Sequence, residues 1–248
     1  MESVTWQQVV VPLLVHIALS ACMVLSAEAM SKRRGSRGAK LHPQFVRKYM
    51  HIFASLQPLA LMYFGVRRVV LVGLMIFVLL CNCYLFFFTR MDSLDDGEVK
   101  THQPPENARG KSSPGTAGVV YFPVALLFSF WVMDDAIESR NTFIGVSMVL
   151  TLSLADGLAA IAGTLCARFT PAYRAPVGRG TKTLVGSVVC FCLSAIAILL
   201  ASFWTKQRVS LVQLLLVSLA SMLAEGTFSL GLDNLTQPLA VYLTLHRL

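Results

Sequence analysis

Long apolar runs recur along this chain at 8–27, 69–89, 142–164, 183–204 and 209–230. Each is close to the roughly 20 residues that an α-helix needs to cross the hydrocarbon core of a bilayer. In lipid every backbone N–H and C=O must find its partner within the structure, so runs of this kind fold as helices. Shorter runs with ragged ends at 49–65, 118–133 and 235–246 complete a set of eight, or seven if the last only dips into the membrane. The expected fold class is therefore all-α, a polytopic integral membrane helix bundle with about eight (7 to 8) transmembrane helices. Composition points the same way: 55% of the residues are hydrophobic, 14% are charged, and the mean hydropathy is +0.65. Those values lie well outside the range of soluble domains. With 248 residues divided among so many helices, little chain remains for a soluble domain, and any chemistry is expected at the membrane surface.

The formal net charge is +8, yet nucleic acid is not an expected partner. The cations fall in loops between spans, where they report topology. Segments 28–48, 90–111 and 168–182 hold fifteen of the 21 Lys and Arg residues. The positive-inside rule places these loops in the cytosol and the N-terminus on the other side. The first apolar run lacks a basic flank and is long, which reads as a retained anchor. The chain divides into an N-terminal three-helix membrane segment with a basic cytosolic loop (1–89), a disordered polar linker rich in Asp, Glu, Pro and Gly (90–117), and a five-helix membrane segment (118–248). The six cysteines sit mostly inside apolar runs. The Cys81-x-Cys83 and Cys190-x-Cys192 pairs point to different helix faces, so they read as packing residues and not as zinc or disulfide sites.

Against this background a few polar residues stand out. Asp156 lies in the apolar run 142–164, where an ionisable group is costly and reads as functional. Ala160 and Gly163 share its helical face and leave a groove of small residues. Arg47, Lys48 and His51 open a helix, with Arg47 and His51 four residues apart. An Arg fork and a Lys point charge at a helix N-terminus suit phosphate. The loop Gly178-Arg179-Gly180-Thr181-Lys182-Thr183 lacks Walker spacing and has no strand expected before it. It still supplies close backbone approach, two cations, and Thr183 at a helix start. Asp233 and Asn234, beside Pro238, read either as an N-cap or as an oxygen-ligand pair opposite Asp156. Under the eight-helix topology all of these clusters emerge on the cytosolic face. The acids Asp134, Asp135 and Glu138 fall on the opposite side, as a short acidic turn.

Four fragments, Arg47-Lys48-x-x-His51, Asp156-Gly-x-Ala-Ala-x-x-Gly163, Lys182-Thr-Leu-x-Gly-Ser187 and Asp233-Asn-Leu-Thr-x-Pro238, resemble in order the polyprenol kinase family. That family includes dolichol, phytol and farnesol kinases and the CTP-dependent diacylglycerol kinase of fungi. The resemblance runs from about residue 45 to the C-terminus, apart from the linker. It departs from the family pattern at Ala155, where Gly is frequent, at Thr164-Leu-Cys166 after Gly163, and at Leu232, where several relatives have a second Asp.

The resemblance implies a CTP-dependent kinase that transfers the γ-phosphate to the hydroxyl of a membrane lipid: a polyprenol or dolichol, a phytol-type isoprenoid alcohol, or diacylglycerol. It implies Mg²⁺, or another divalent cation, as cofactor and CTP as phosphate donor. By position, Asp156, Lys48 and Lys182 are the implied catalytic residues. Arg47, Lys48, Gly163, Lys182 and Thr183 would bind nucleotide, joined by Arg179 on the strength of its charge. Asp156 and Asp233 would hold metal, with His51 and Asn234 as further site residues. Phosphoryl transfer needs positioning and charge neutralisation more than covalent work, which suits so sparse a set. The expected location is the endoplasmic reticulum membrane with the site facing the cytosol, although no targeting address separates that membrane from a plastid or bacterial one. The competing expectation is a small ion-coupled transporter, with Asp156 and Glu225 as intramembrane carboxylates. It predicts an internal repeat, and no convincing one is present.

Overall fold

A computed structural model describes residues 10–11, 14–22, 25–26, 43–88, 118–177, 180–229 and 231–248. The basic loop, the linker and Arg179 lie outside the described residues, and of Arg47 only the backbone is described. The chain is mostly helical. Helical residues within 10–26 form α1, followed by α2 (Pro43–Tyr63), α3 (Arg68–Phe88), α4 (Gly118–Val132), α5 (Arg140–Leu150) and α6 (Gly157–Cys166). Then come α7 (Leu184–Thr205), α8 (Leu211–Thr227) and α9 (Asp233–Arg247). A π turn, Thr151–Asp156, joins α5 to α6, so Arg140–Cys166 is one helix of 27 residues.

Local chemistry explains these boundaries. Proline opens α2 at Pro43, where a missing N–H removes nothing from the ladder. That helix ends in a Schellman turn: Gly65, at φ 85°, donates its N–H to Met62, and Val66 donates to Leu61. Ser139 caps α5 by accepting from the Thr142 N–H. Ser210 and Gln213 cap α8 reciprocally.

Arg140–Cys166 and Leu184–Thr205 are long and apolar enough to cross a membrane, and Arg68–Tyr84, Val120–Val132 and Leu211–Thr227 are shorter apolar helices. Large apolar side chains such as Phe203, Leu211 and Leu165 point outward. One hydrophobic cluster, with Leu71, Met75, Phe130, Met148, Leu152, Ile198 and Val217 among its buried members, draws on α3, α4, α5, α7 and α8 and on the π turn. Helices on both sides of the linker therefore share a single core.

Two details depart from an all-α chain in which Arg47, Lys48 and His51 open a helix. First, Ala172–Arg174 and Thr181–Thr183 pair as a small antiparallel hairpin between α6 and α7, with Tyr173 opposite Lys182. Thr and Tyr favour extended backbone, and Pro171, Pro176 and Gly180 keep helix from forming there. Second, α2 starts at Pro43, which puts Lys48 and His51 beyond the first helical turn. Their neighbours in the structure, and not the positive end of a helix dipole, set their chemistry.

Where α4 crosses α5 the backbones meet at Gly145. A Cβ there would strike Met133 Cγ and lie 2.6 Å from the Ser129 carbonyl oxygen. Gly73 on α3 faces open space. Gly145→Ala is expected to destabilise by about 1–3 kcal/mol, the typical penalty for overpacking, whereas Gly73→Ala should cause no loss. Thermal unfolding of the purified proteins in detergent checks the pair. Equal melting temperatures would contradict the crossing described.

Candidate functional site

Asp156 closes the π turn and is almost completely buried, at 1% exposure. A π turn lets one carbonyl leave the regular i→i+4 ladder, and such turns recur at functional sites. Here the Leu152 carbonyl oxygen lies 3.0 Å from His51 Nε2. Because a carbonyl only accepts, Nε2 carries the proton, and the same N–H faces Asp156 Oδ2 at 3.3 Å. His51 also packs against the ring of Phe122. Lys48, one helical turn earlier on α2, donates to Asp156 Oδ2 at 2.6 Å. Close approach of α2 is possible because Gly157 follows the acid: a Cβ there would lie 2.6 Å from Ile52 Cγ1.

A second cationic arm comes from the hairpin. Lys182 Nζ donates to Glu225 Oε1 at 2.6 Å and to Asp233 Oδ2 at 2.9 Å. Burial works against the charge on Lys182, but the carboxylates of Asp233, Glu225 and Asp156 outweigh it and hold the ammonium well above the ordinary lysine range. Several bonds fasten the hairpin. Gly180 donates its N–H to Ser229 Oγ, which itself donates to the Val177 carbonyl, and Val177 pairs with Phe228 in a short parallel bridge. Tyr173 and Ser187 share a hydroxyl–hydroxyl bond of 2.7 Å, and the Tyr173 hydroxyl sits where a Cβ on Gly226 would otherwise project.

These two arms meet. Asp156, Glu225 and Asp233 each offer a carboxylate oxygen within 4.8 Å of the others. Three oxygens no more than 4.8 Å apart all fit within about 2.8 Å of one common point, against a Mg²⁺–oxygen bond of about 2.1 Å, so a shift of less than about 1 Å in each would bring them to a hard divalent cation. The set is all oxygen, as Mg²⁺ prefers. Glu225 Oε2 is buried without any hydrogen-bond partner among the described residues, which is the condition expected of a ligand awaiting a cation.

The residues singled out in the sequence distribute as follows. Lys48, His51, Asp156, Lys182 and Asp233 converge in this one place, and Asn234 follows Asp233 at the start of α9, its N–H bonded to Asp233 Oδ1. Thr183 caps α7, its hydroxyl oxygen accepting from the Gly186 N–H at 3.1 Å. Gly163 is packed against that cap, where a Cβ would lie 2.7 Å from Thr183 Oγ1. At Gly163, the start of α7 occupies the space where the small-residue groove was expected to be open. The Arg47 and Arg179 side chains lie outside the described residues. Asp135 and Glu138 meet Arg68 and Lys206. That turn precedes Asp156 by more than 16 residues of helix, roughly 24 Å at 1.5 Å per residue.

Sequence reasoning had placed Glu225 only in a transporter reading. A carboxylate inside an apolar helix was itself the signal, and the spacing Glu225 to Asp233 spans the turn from α8 into α9. Gly231, at φ 84°, turns the chain there so that the two acids face one lysine.

Removing one partner of a buried pair leaves an uncompensated charge, a loss of about 3–5 kcal/mol. Lys182→Met is expected to destabilise by that order, and adding Glu225→Gln and Asp233→Asn to it should recover part of the loss. Melting temperatures of the single and triple variants check this. Additive losses would mean that the three side chains do not interact. Comparisons with family models, with curated proteins and with solved structures returned no match to this chain.

Proposed function

We propose that this chain is a multi-pass membrane enzyme that phosphorylates a lipid alcohol, using a nucleoside triphosphate with CTP as the expected donor. The observation that carries the reading is the meeting of a buried lysine, Lys48, and a partly buried one, Lys182, with three carboxylates, contributed by α2, the π turn, the hairpin, α8 and α9. These groups include one residue from each of the four fragments that resemble the polyprenol kinase family. Lysine ammonium groups are phosphate ligands, and clustered carboxylates are ligands for the divalent ion that accompanies a triphosphate. A coupling-ion site of a transporter has no need of two lysines beside its acids, which favours the kinase.

In the reaction the lipid hydroxyl oxygen bonds to the γ-phosphorus. The bond from that phosphorus to the β,γ-bridging oxygen breaks, a nucleoside diphosphate leaves, and the hydroxyl proton passes to a carboxylate of the cluster. Asp156 and Asp233 are the residues assigned to Mg²⁺, which when bound neutralises phosphate charge. Lys48 and Lys182 bind the phosphates, each ammonium having three N–H groups to share between carboxylate and phosphate oxygens. His51 donates through Nε2 and holds the π turn and Asp156 in place. Lys182 just before α7, Glu225 at the end of α8 and Asp233 at the start of α9 fit an acceptor whose hydroxyl sits at the interface and whose chain stays in lipid. The endoplasmic reticulum membrane, with the site on the cytosolic face, is the proposed location.

The test is transfer of label from γ-labelled CTP or ATP, with Mg²⁺, to dolichol, phytol, farnesol or diacylglycerol in detergent. Label is expected in one lipid class, and Asp156→Asn should lower kcat/KM at least about a hundredfold, as loss of a key electrostatic group does. No label in any acceptor from folded protein, or full activity in Asp156→Asn, would overturn the proposal.

A further inference from the structure

The resemblance assigns metal binding to Asp156 and Asp233, and it leaves Glu225 and the internal lysine contacts unexplained. Glu225 is 4% exposed. It uses Oε1 on Lys182 and leaves Oε2 buried and unpartnered among the described residues. A buried carboxylate oxygen with nothing to accept from is costly enough to need a reason. Charge supplies one. Asp156, Glu225 and Asp233 carry three negative charges as carboxylates, and Lys48 and Lys182 supply two positive charges. With His51 neutral, the cluster is short of one positive charge among the described residues, and the oxygen left without a partner belongs to the residue that shares its lysine with a second acid.

We propose that Glu225 completes a divalent-cation site with Asp156 and Asp233, and that Lys182 is its tethered competitor, a built-in cation that shares the carboxylates until metal enters and frees it. Without metal the cluster is net negative and repels a triphosphate. With a divalent ion it becomes net positive, and the released ammonium can turn to an anion. Metal is therefore needed for nucleotide to bind at all, before any transfer occurs. What the released lysine meets rests on the lipid-kinase reading, whereas the metal site does not.

Geometry supports the exchange. Lys182 is anchored by its backbone in the fastened hairpin, so only its side chain has to move. Among the described residues, the second cation, Lys48, touches Asp156 alone of the three acids and can remain there.

The experiment measures Mn²⁺ uptake by the full chain in detergent, with no nucleotide or lipid, from loss of the free-ion paramagnetic resonance signal. Wild type is expected to take up one Mn²⁺ per chain. Glu225→Gln should weaken uptake at least about tenfold, the loss typical of even an outer-shell partner, with Glu225→Asp falling between the two. Lys182→Met should bind Mn²⁺ more tightly than wild type. Its melting temperature should rise with Mn²⁺ by more than that of wild type, because a ligand held only by the folded state stabilises it. A purely structural Lys182 would give the opposite order.

No uptake by wild type, or Glu225→Gln or Glu225→Asp binding as wild type does, or weaker binding by folded Lys182→Met, would overturn the proposal. If Lys182→Met does not fold, the glutamate variants decide the outcome. Mn²⁺ uptake without phosphoryl transfer to any lipid alcohol would remove the kinase reading and leave the site. Transfer without uptake would do the reverse.

Discussion

Burial of three carboxylates in a largely apolar helical chain is the constraint on which the rest of this structure depends. An isolated ionised carboxylate taken from water into a low-dielectric interior suffers a desolvation penalty of several kcal/mol even after relaxation, so each needs a cation delivered to it. Lys48 and Lys182 are the cations that arrive among the described residues, and the packing follows from bringing them there. Helix α2 must lie against the start of α6, which the absence of a side chain at Gly157 permits. The hairpin must be fastened to the turn between α8 and α9, which Ser229, Val177 and Tyr173 accomplish. Replacing such pairs by apolar residues often stabilises a protein. Their presence is therefore better explained by what the charges do than by what they contribute to folding.

Most of the helical scaffold could be read in the sequence because it rests on a local signal: long apolar runs bounded by Pro, Gly, Ser and basic residues give α3 to α9 to within a few residues. The start of α2 was less legible. Its opening turns are polar, and the apolar run begins only after the helix does. The hairpin between α6 and α7 escaped notice because three-residue strands carry no periodicity, and its stability comes from tertiary contacts to Ser229 and Ser187. Within the site, lone acids and cations in apolar surroundings were conspicuous one by one, as with Asp156 and Lys48. Which acid pairs with which base was not legible, because Lys48 and Asp156 are 108 positions apart and no local pattern encodes such a contact. Gly163 shows the converse. Its smallness suggested an open groove, and only the structure places the Thr183 cap against it.

The two cationic arms differ in a way that suits a site that must both bind and let go. Asp156 and His51 sit on helices whose relative position is set by side-chain packing, and the Leu152 carbonyl of the π turn accepts from His51 Nε2, whose N–H also faces Asp156. Such a carboxylate is fixed in place. Lys182 projects from a hairpin whose backbone is fixed at both edges, but its four-carbon stem ends in a point charge that any oxygen can satisfy.

That contrast gives a reason for lysine at both places. An arginine at 48 or 182 would grip a carboxylate through two parallel bonds and hold it in one geometry, whereas an ammonium gives up one oxygen for another at little angular cost. Glu225 and Asp233 share one lysine between two acids, an arrangement in which neither acid is fully neutralised and a stronger cation is favoured. Buried acids thus recruit lysines to permit folding, and the incomplete neutralisation of Glu225 and Asp233 leaves the site able to exchange its charges for those of a ligand.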